Sequence, residues 1–207
     1  LPVYCQLRPI FYRETFSNYY SSIIWPISFT ICEAIWVIPW SLTGFVPHYF
    51  GIDATARTAI GFFCYWLVVY ILCFFFSQFS LMLAMILPSN ISEVFQNMYV
   101  SLCFSFGNIA ANWPTINRGF QIIMWLFPFY FVNGAITTQQ FANKGDVMIE
   151  VVRNNVLEKL SAKSYALDLT GYVGSHVFGW SILWLMVMIG VFWIFGYFGA
   201  ICLRFKR

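Results

Sequence analysis

The sequence predicts an all-α membrane protein: about four transmembrane helices, a short charged element ahead of them, and an external helical region before the last. Composition is the first indication. Hydrophobic residues make up 60% of the 207-residue chain and charged ones only 9%, against about 25% charged in soluble domains. Distribution is the second. No Asp, Glu, Lys or Arg occurs between Arg57 and Glu93, between Glu93 and Arg118, or between Asp168 and Arg204, and a spanning helix needs roughly 20 mostly apolar residues. The third is physical: lipid offers no water to backbone groups, so helices that satisfy their own amides are favoured over isolated strands.

Residues 1–19 read as a cytoplasmic segment in which Arg13 and Glu14, with Phe11, Tyr12 and Tyr19, present charges and aromatics on a short helix. Such a surface suits rigid-body docking of a soluble partner, and equally an anchor at headgroup level. The first span covers about 20–45 and holds Pro26 and Pro39, which kink membrane helices without excluding them. A turn follows from Pro47 to Asp53. The second span, about 58–87, is long enough to tilt. Pro88-Ser89-Asn90 breaks it, and a third span covers about 93–111.

Residues 112–169 read as an external loop in two parts. Gly119 to Phe141 is uncharged and aromatic, with Pro128 and Gly134 inside, and suits a re-entrant or interfacial hairpin. From Asp146 to Lys163, Val147, Val151, Val152, Val156, Leu157 and Leu160 recur between charges, the pattern of an amphipathic helix. Residues 170–207 supply the last span and a basic tail ending in Arg204, Lys206 and Arg207. Positive residues beside a membrane edge favour the cytoplasm. Both termini are therefore expected inside, which requires an even number of crossings and leaves the 119–141 segment short of a full one.

Several function classes are disfavoured. A formal charge of +3 is too small to suggest nucleic acid as a partner. The six cysteines show no CxxC spacing and read as buried apolar residues. His48 and His176 stand apart from any metal-ligand spacing, so no metal is expected. No phosphate loop, dinucleotide fingerprint or nucleophile constellation is present; the chain has no catalytic residues of its own and cannot hydrolyse ATP by itself. It starts at Leu1 and shows no cleavable signal, which reads as a fragment.

Two constellations stand out. Glu33 is the single charge between Glu14 and Asp53, and a carboxylate inside a span costs about 2.5–3.5 kcal/mol on insertion scales, so it should pair or face an interior. With no second charge in the other spans to complete a relay, a polar clamp between helices is the preferred reading over a proton or cation site. Asn97, Ser101, Phe104 and Asn108 fall on one face of the third span. They suit either a ligand-lining wall or polar contacts between helices.

The landmarks in order resemble the C-terminal membrane domain of the ABC transporter G subfamily, especially its pleiotropic-drug-resistance branch, whose domain is of the ABC-2 type. Its R-P-x-F-Y-R-E motif is matched by Arg8 to Glu14, its Y-S by Tyr20-Ser21, and its membrane glutamate by Glu33, 13 residues after Tyr20. Leu87-Pro88-Ser89-Asn90 stands at the T-P-N turn. Trp125, Pro128, Gly134 and Gln140-Phe141 follow the external W…P…G…[QE]-F pattern, and the basic finish agrees. The E-[IL]-P of the family is Glu33-Ala34-Ile35 here, with Pro39 further on.

This resemblance implies spans three to six of a six-helix domain in the plasma membrane. It implies an exporter of lipids, sterols or hydrophobic drugs, driven by ATP and magnesium bound in separate nucleotide-binding domains; no cofactor is expected in this chain. It implies that Tyr12, Arg13, Glu14 and Tyr19 belong to a coupling helix that receives the motion of those domains. Asn97, Ser101, Phe104 and Asn108 would line the translocation cavity against the other membrane half, and Ile109 and Ala110 would form an apolar plug above it. The rival reading is a non-transporting structural or assembly subunit of a membrane complex. An ion-coupled carrier has only Glu33 in its favour.

Overall fold

A computed structural model describes residues 2–51, 59–107, 117–141, 148–153, 156–171 and 175–202. Its helices are α1 (Pro2–Phe16), α2 (Ile24–Gly51), α3 (Ala59–Ile86), α4 (Ser89–Phe106), α5 (Arg118–Met124), α6 (Pro128–Phe141), α7 (Ala162–Thr170) and α8 (Ser175–Cys202), with strands β1 (Met148–Arg153) and β2 (Val156–Ser161) between α6 and α7. Among the described residues, three helices are long and apolar enough to cross a membrane: Ile24–Pro47 within α2, α3, and His176–Cys202 within α8. The bent pair α5–α6 could count as a fourth. The protein is an all-α integral membrane protein carrying one small hairpin.

The uncharged α3 runs for 28 residues, about 42 Å at 1.5 Å per residue, and is the central element. Val68, Ile71, Phe75 and Phe79 repeat at helical spacing and form one buried cluster with Val132 and Ala135 of α6 and Leu185, Ile189 and Phe192 of α8. Hydrophobicity alone does not drive association in lipid; close packing and small residues do. Phe192 meets Phe75 and Phe79 with ring centroids 5.0 and 5.2 Å apart. Near the other end of α8, a Cβ built on Gly199 would stand 2.7 Å from Ile86 Cγ1, and one on Gly196 would stand 3.3 Å from the Met82 backbone. Both glycines let the two helices approach closely.

α1 ends in a left-handed turn at Asn18, φ 58°, a residue that tolerates that region. Tyr19 N–H returns to the Glu14 carbonyl and Asn18 N–H to that of Thr15, which closes the helix in the Schellman manner and sends the chain into α2. Within α2, Pro39 and Pro47 do not stop the helix. The Tyr70 hydroxyl donates to the Ala34 carbonyl at 2.9 Å, next to the Ile35 carbonyl that Pro39 has no N–H to meet. Trp66 Nε1 donates to Ser41 Oγ at 3.0 Å.

One expectation is corrected. The amphipathic helix expected over 146–163 is instead an antiparallel hairpin, with Met148 opposite Ser161 and Arg153 opposite Val156. The valine-rich run favours a pleated surface, and Glu150 stands opposite Lys159 with a 3.3 Å ion pair. Helix resumes only at α7, where Ser161 caps the first turn and Gly171 (φ 76°) the last. The third expected span, 93–111, corresponds in its described part to α4, which begins before Glu93; over Ser89–Phe106 alone it is less apolar than the three helices named above. Glu93, Gln96 and Asn97 make it too polar for lipid contact all round.

Candidate functional site

Two regions of α1 through α6 concentrate polar chemistry. One joins α1 to the membrane helices. Tyr4, Arg8 and Phe11 recur at helical spacing on the inner side of α1. Phe11 and Tyr4 are buried with Trp25 of α2, Leu81, Ala84 and Met85 of α3, and Ala200 of α8. Arg8 is half-buried and its Nη1 donates to the carbonyls of Ala84 and Leu87 at 2.8 and 2.7 Å. These are carbonyls of the last turn of α3, where cations are favoured, and hydrogen bonds from a charged donor contribute about 1.5–3 kcal/mol each.

The residues that the sequence placed at the docking surface divide. Arg13 and Tyr19 are exposed, Tyr19 at 80%. Tyr12 is half-buried, and burial raises its hydroxyl above the ordinary tyrosine value. Glu14 accepts a 2.9 Å hydrogen bond from the Tyr20 hydroxyl, so it also holds the turn between α1 and α2.

Glu33 is a clamp among three helices. The Tyr4 hydroxyl of α1 donates to one carboxylate oxygen, and Ser77 Oγ of α3 donates to the other at 2.8 Å. One turn away on α2, Thr30 donates to Gln78 Oε1 at 3.1 Å. Gln78 is buried and its Nε2 has no partner among the described residues. Two hydroxyl donors satisfy the Glu33 carboxylate, which is what a polar group within a span requires.

The second region is α4. Ser92 and Cys103 face the interior, whereas Glu93, Asn97, Ser101 and Phe104 are exposed on the opposite side. Asn97, Ser101 and Phe104 therefore share one open, mixed face. Ser101 Oγ donates back to the Asn97 carbonyl at 2.9 Å, and Phe104 leans on Phe129 of α6 with centroids 4.9 Å apart. Asn108, Ile109 and Ala110 lie outside the described residues.

Beside α4 stands the elbow between α5 and α6, bent by 89°. Tyr99 of α4 donates its hydroxyl to the Leu126 carbonyl at 2.9 Å, and Trp184 of α8 donates Nε1 to the Trp125 carbonyl at 3.0 Å. Tyr99 is near the middle of α4, so the elbow reaches to mid-helix. Asn133 then donates to the Gly107 carbonyl at the far end of α4, so α6 climbs back toward that end.

Compared with curated proteins, the chain has no match. Compared with protein families, residues 1–141 match the ABC-2 type transporter family. The chain belongs to that family.

An ABC-2 domain is the membrane permease part of an ABC transporter and works with nucleotide-binding domains. The matched stretch holds α1 to α6, and thus both polar regions just described. In this ABC-2 domain, the residues that sequence reasoning left out of the site are Tyr4, Arg8, Tyr99 and Trp184. The spacing of Tyr4, Arg8 and Phe11 could have shown a shared inner face of α1. Nothing local could have shown the elbow bonds, since Trp184 and Trp125 are 59 residues apart.

Proposed function

We propose that this ABC-2 domain is of the G subfamily, pleiotropic-drug-resistance type, and forms half of an exporter for lipids, sterols or hydrophobic drugs in the plasma membrane, with both termini cytoplasmic. The observation that carries the proposal is the open face of α4. Asn97, Ser101 and Phe104 combine an amide, a hydroxyl and a ring on one exposed side of α4, with the apolar Val94 and Met98 exposed beside them, while Ser92 and Cys103 face the interior. A face of that polarity is costly against lipid and suits a cavity that takes amphipathic molecules, closed by the other membrane half. Asn108 would extend this wall, and Ile109 and Ala110 would close it outward as the plug. Release would pass through residues 112–169.

The motor domains bind ATP and magnesium and dock on α1 through Arg13, Tyr12, Tyr19 and Glu14. The exposure of Arg13 and Tyr19 supports that reading. Their closure draws the two membrane halves together and turns the cavity outward.

The test is vanadate-sensitive ATPase activity of the assembled transporter, with candidate lipids and drugs added. Wild type should be stimulated by an amphipathic substrate, and Arg13→Glu should lose that stimulation while still binding nucleotide. No ATPase activity in any assembly containing this chain would overturn the exporter and leave a passive membrane subunit.

A further inference from the structure

Resting on the exporter reading above, we infer that Tyr4 and Arg8 are positioning residues that fasten α1 to α2 and to the α3–α4 corner respectively, so that these elements move as one body during transport. The fastening lies away from the exposed Arg13, on the face of α1 that Tyr12 shares. Three contacts make it. Tyr4 donates to Glu33 on α2, which Ser77 of α3 also holds. Arg8 donates to Ala84 and Leu87, carbonyls at the end of α3 just ahead of Pro88. Cys5 Sγ lies 3.8 Å from Ser92 Oγ in the first turn of α4. The contacts thus engage α2, α3 and α4 from less than two turns of α1.

The Arg8 contact decides where motion goes. Leu87 and Pro88 form the corner at which α3 ends and α4 begins, and α4 carries the open face of Asn97, Ser101 and Phe104. A push on α1 is delivered to the base of that wall. Two short, charge-assisted bonds to backbone leave Arg8 little freedom to slide. Lysine, a point charge on a flexible stem, reproduces the charge but not the planar guanidinium that directs the two Nη1 hydrogens at these carbonyls.

Ser92→Cys tests the rigid body directly, because its thiol would face native Cys5. Oxidation of this variant in the assembled transporter should join Cys5 to the introduced thiol in a disulfide, seen by peptide mass. Transport should stay within twofold of the reduced sample. A tenfold loss that reductant reverses would show that α1 must slide on α4, and failure to form the disulfide would show that the two are not apposed; either overturns the inference. Arg8→Ala should lower substrate moved per ATP hydrolysed about tenfold, with Arg8→Lys recovering part of it. An unchanged ratio in Arg8→Ala would remove Arg8 from the role. Absence of ATP-driven transport in reduced wild type would instead sink the exporter reading, and this role with it.

Discussion

The indole of Trp184 donates to the backbone carbonyl of Trp125 at 3.0 Å, from α8 to the elbow that joins α5 and α6. Tyr99 does the same for the neighbouring Leu126 carbonyl from α4, at 2.9 Å. The break in the helix therefore presents these two carbonyls to donors from two flanking helices, and the elbow is held as a fixed wall.

Removing either donor while keeping a ring should loosen that wall. Side-chain hydrogen bonds in membrane proteins average about 0.6 kcal/mol each. Tyr99→Phe and Trp184→Phe should each lower the melting temperature in detergent by about 2–4 °C per kcal/mol lost. The two carbonyls are adjacent in one elbow, so the double variant should deviate from additivity. Strict additivity would mean that the elbow is held by packing alone.

Glu33 should tolerate glutamine better than alanine. Glutamine keeps one acceptor for Tyr4 or Ser77, whereas alanine leaves both hydroxyls without the carboxylate they share. Glu33→Ala should reduce the yield of monodisperse protein and its melting temperature more than Glu33→Gln. If Glu33→Gln were the worse of the two, the charge itself would be in use, as in a cation-coupled carrier.

Glycines in the helices should separate into two groups. A Cβ on Gly107 would collide with Phe129 and the Cys103 carbonyl, and one on Gly199 with Ile86, while Gly44 and Gly190 have nothing within 4 Å. Gly107→Ala and Gly199→Ala should destabilise by about 1–3 kcal/mol through overpacking. Gly44→Ala and Gly190→Ala should be neutral or stabilising. Thermal unfolding of the four variants checks the ordering.

Burial, with the hydrogen bond to Glu14, pushes the Tyr20 hydroxyl from 10.0 up to about 12. A folded value above the unfolded one means the contribution is complete below about pH 10 and is lost as pH rises from there through about 12. The difference in melting temperature between wild type and Tyr20→Phe should hold steady from about pH 6 to 9 and shrink above about 10. Shrinkage within the lower range would contradict the Tyr20–Glu14 bond.

Much of this was legible in sequence because lipid simplifies the choices. Long uncharged runs left α3 and α8 little alternative to helix, and Glu33 declared itself by its cost. The clamp reading of Glu33 agrees with its two hydroxyl donors, although Tyr4 as a partner was invisible, since it lies on another element. The hairpin at 148–161 was missed because valines at mixed spacing satisfy a helical period and a strand period alike, and pairing of Glu150 with Lys159 is a non-local fact. Arg8 was placed in a motif but not in a contact: its carbonyl partners carry no side-chain signal at all.

The decisive experiment is ATP-driven uptake of a fluorescent amphipath into inside-out vesicles that contain the assembled transporter, with Ser101→Trp as the companion variant. Ser101 is exposed on the open face of α4, so tryptophan there should obstruct the cavity without disturbing the core. An exporter whose cavity is walled by α4 should show vanadate-sensitive uptake in wild type and lose it in Ser101→Trp at equal membrane yield. Absence of ATP-driven uptake for every amphipath tried, or uptake indifferent to Ser101→Trp, would contradict that function for the α4 face.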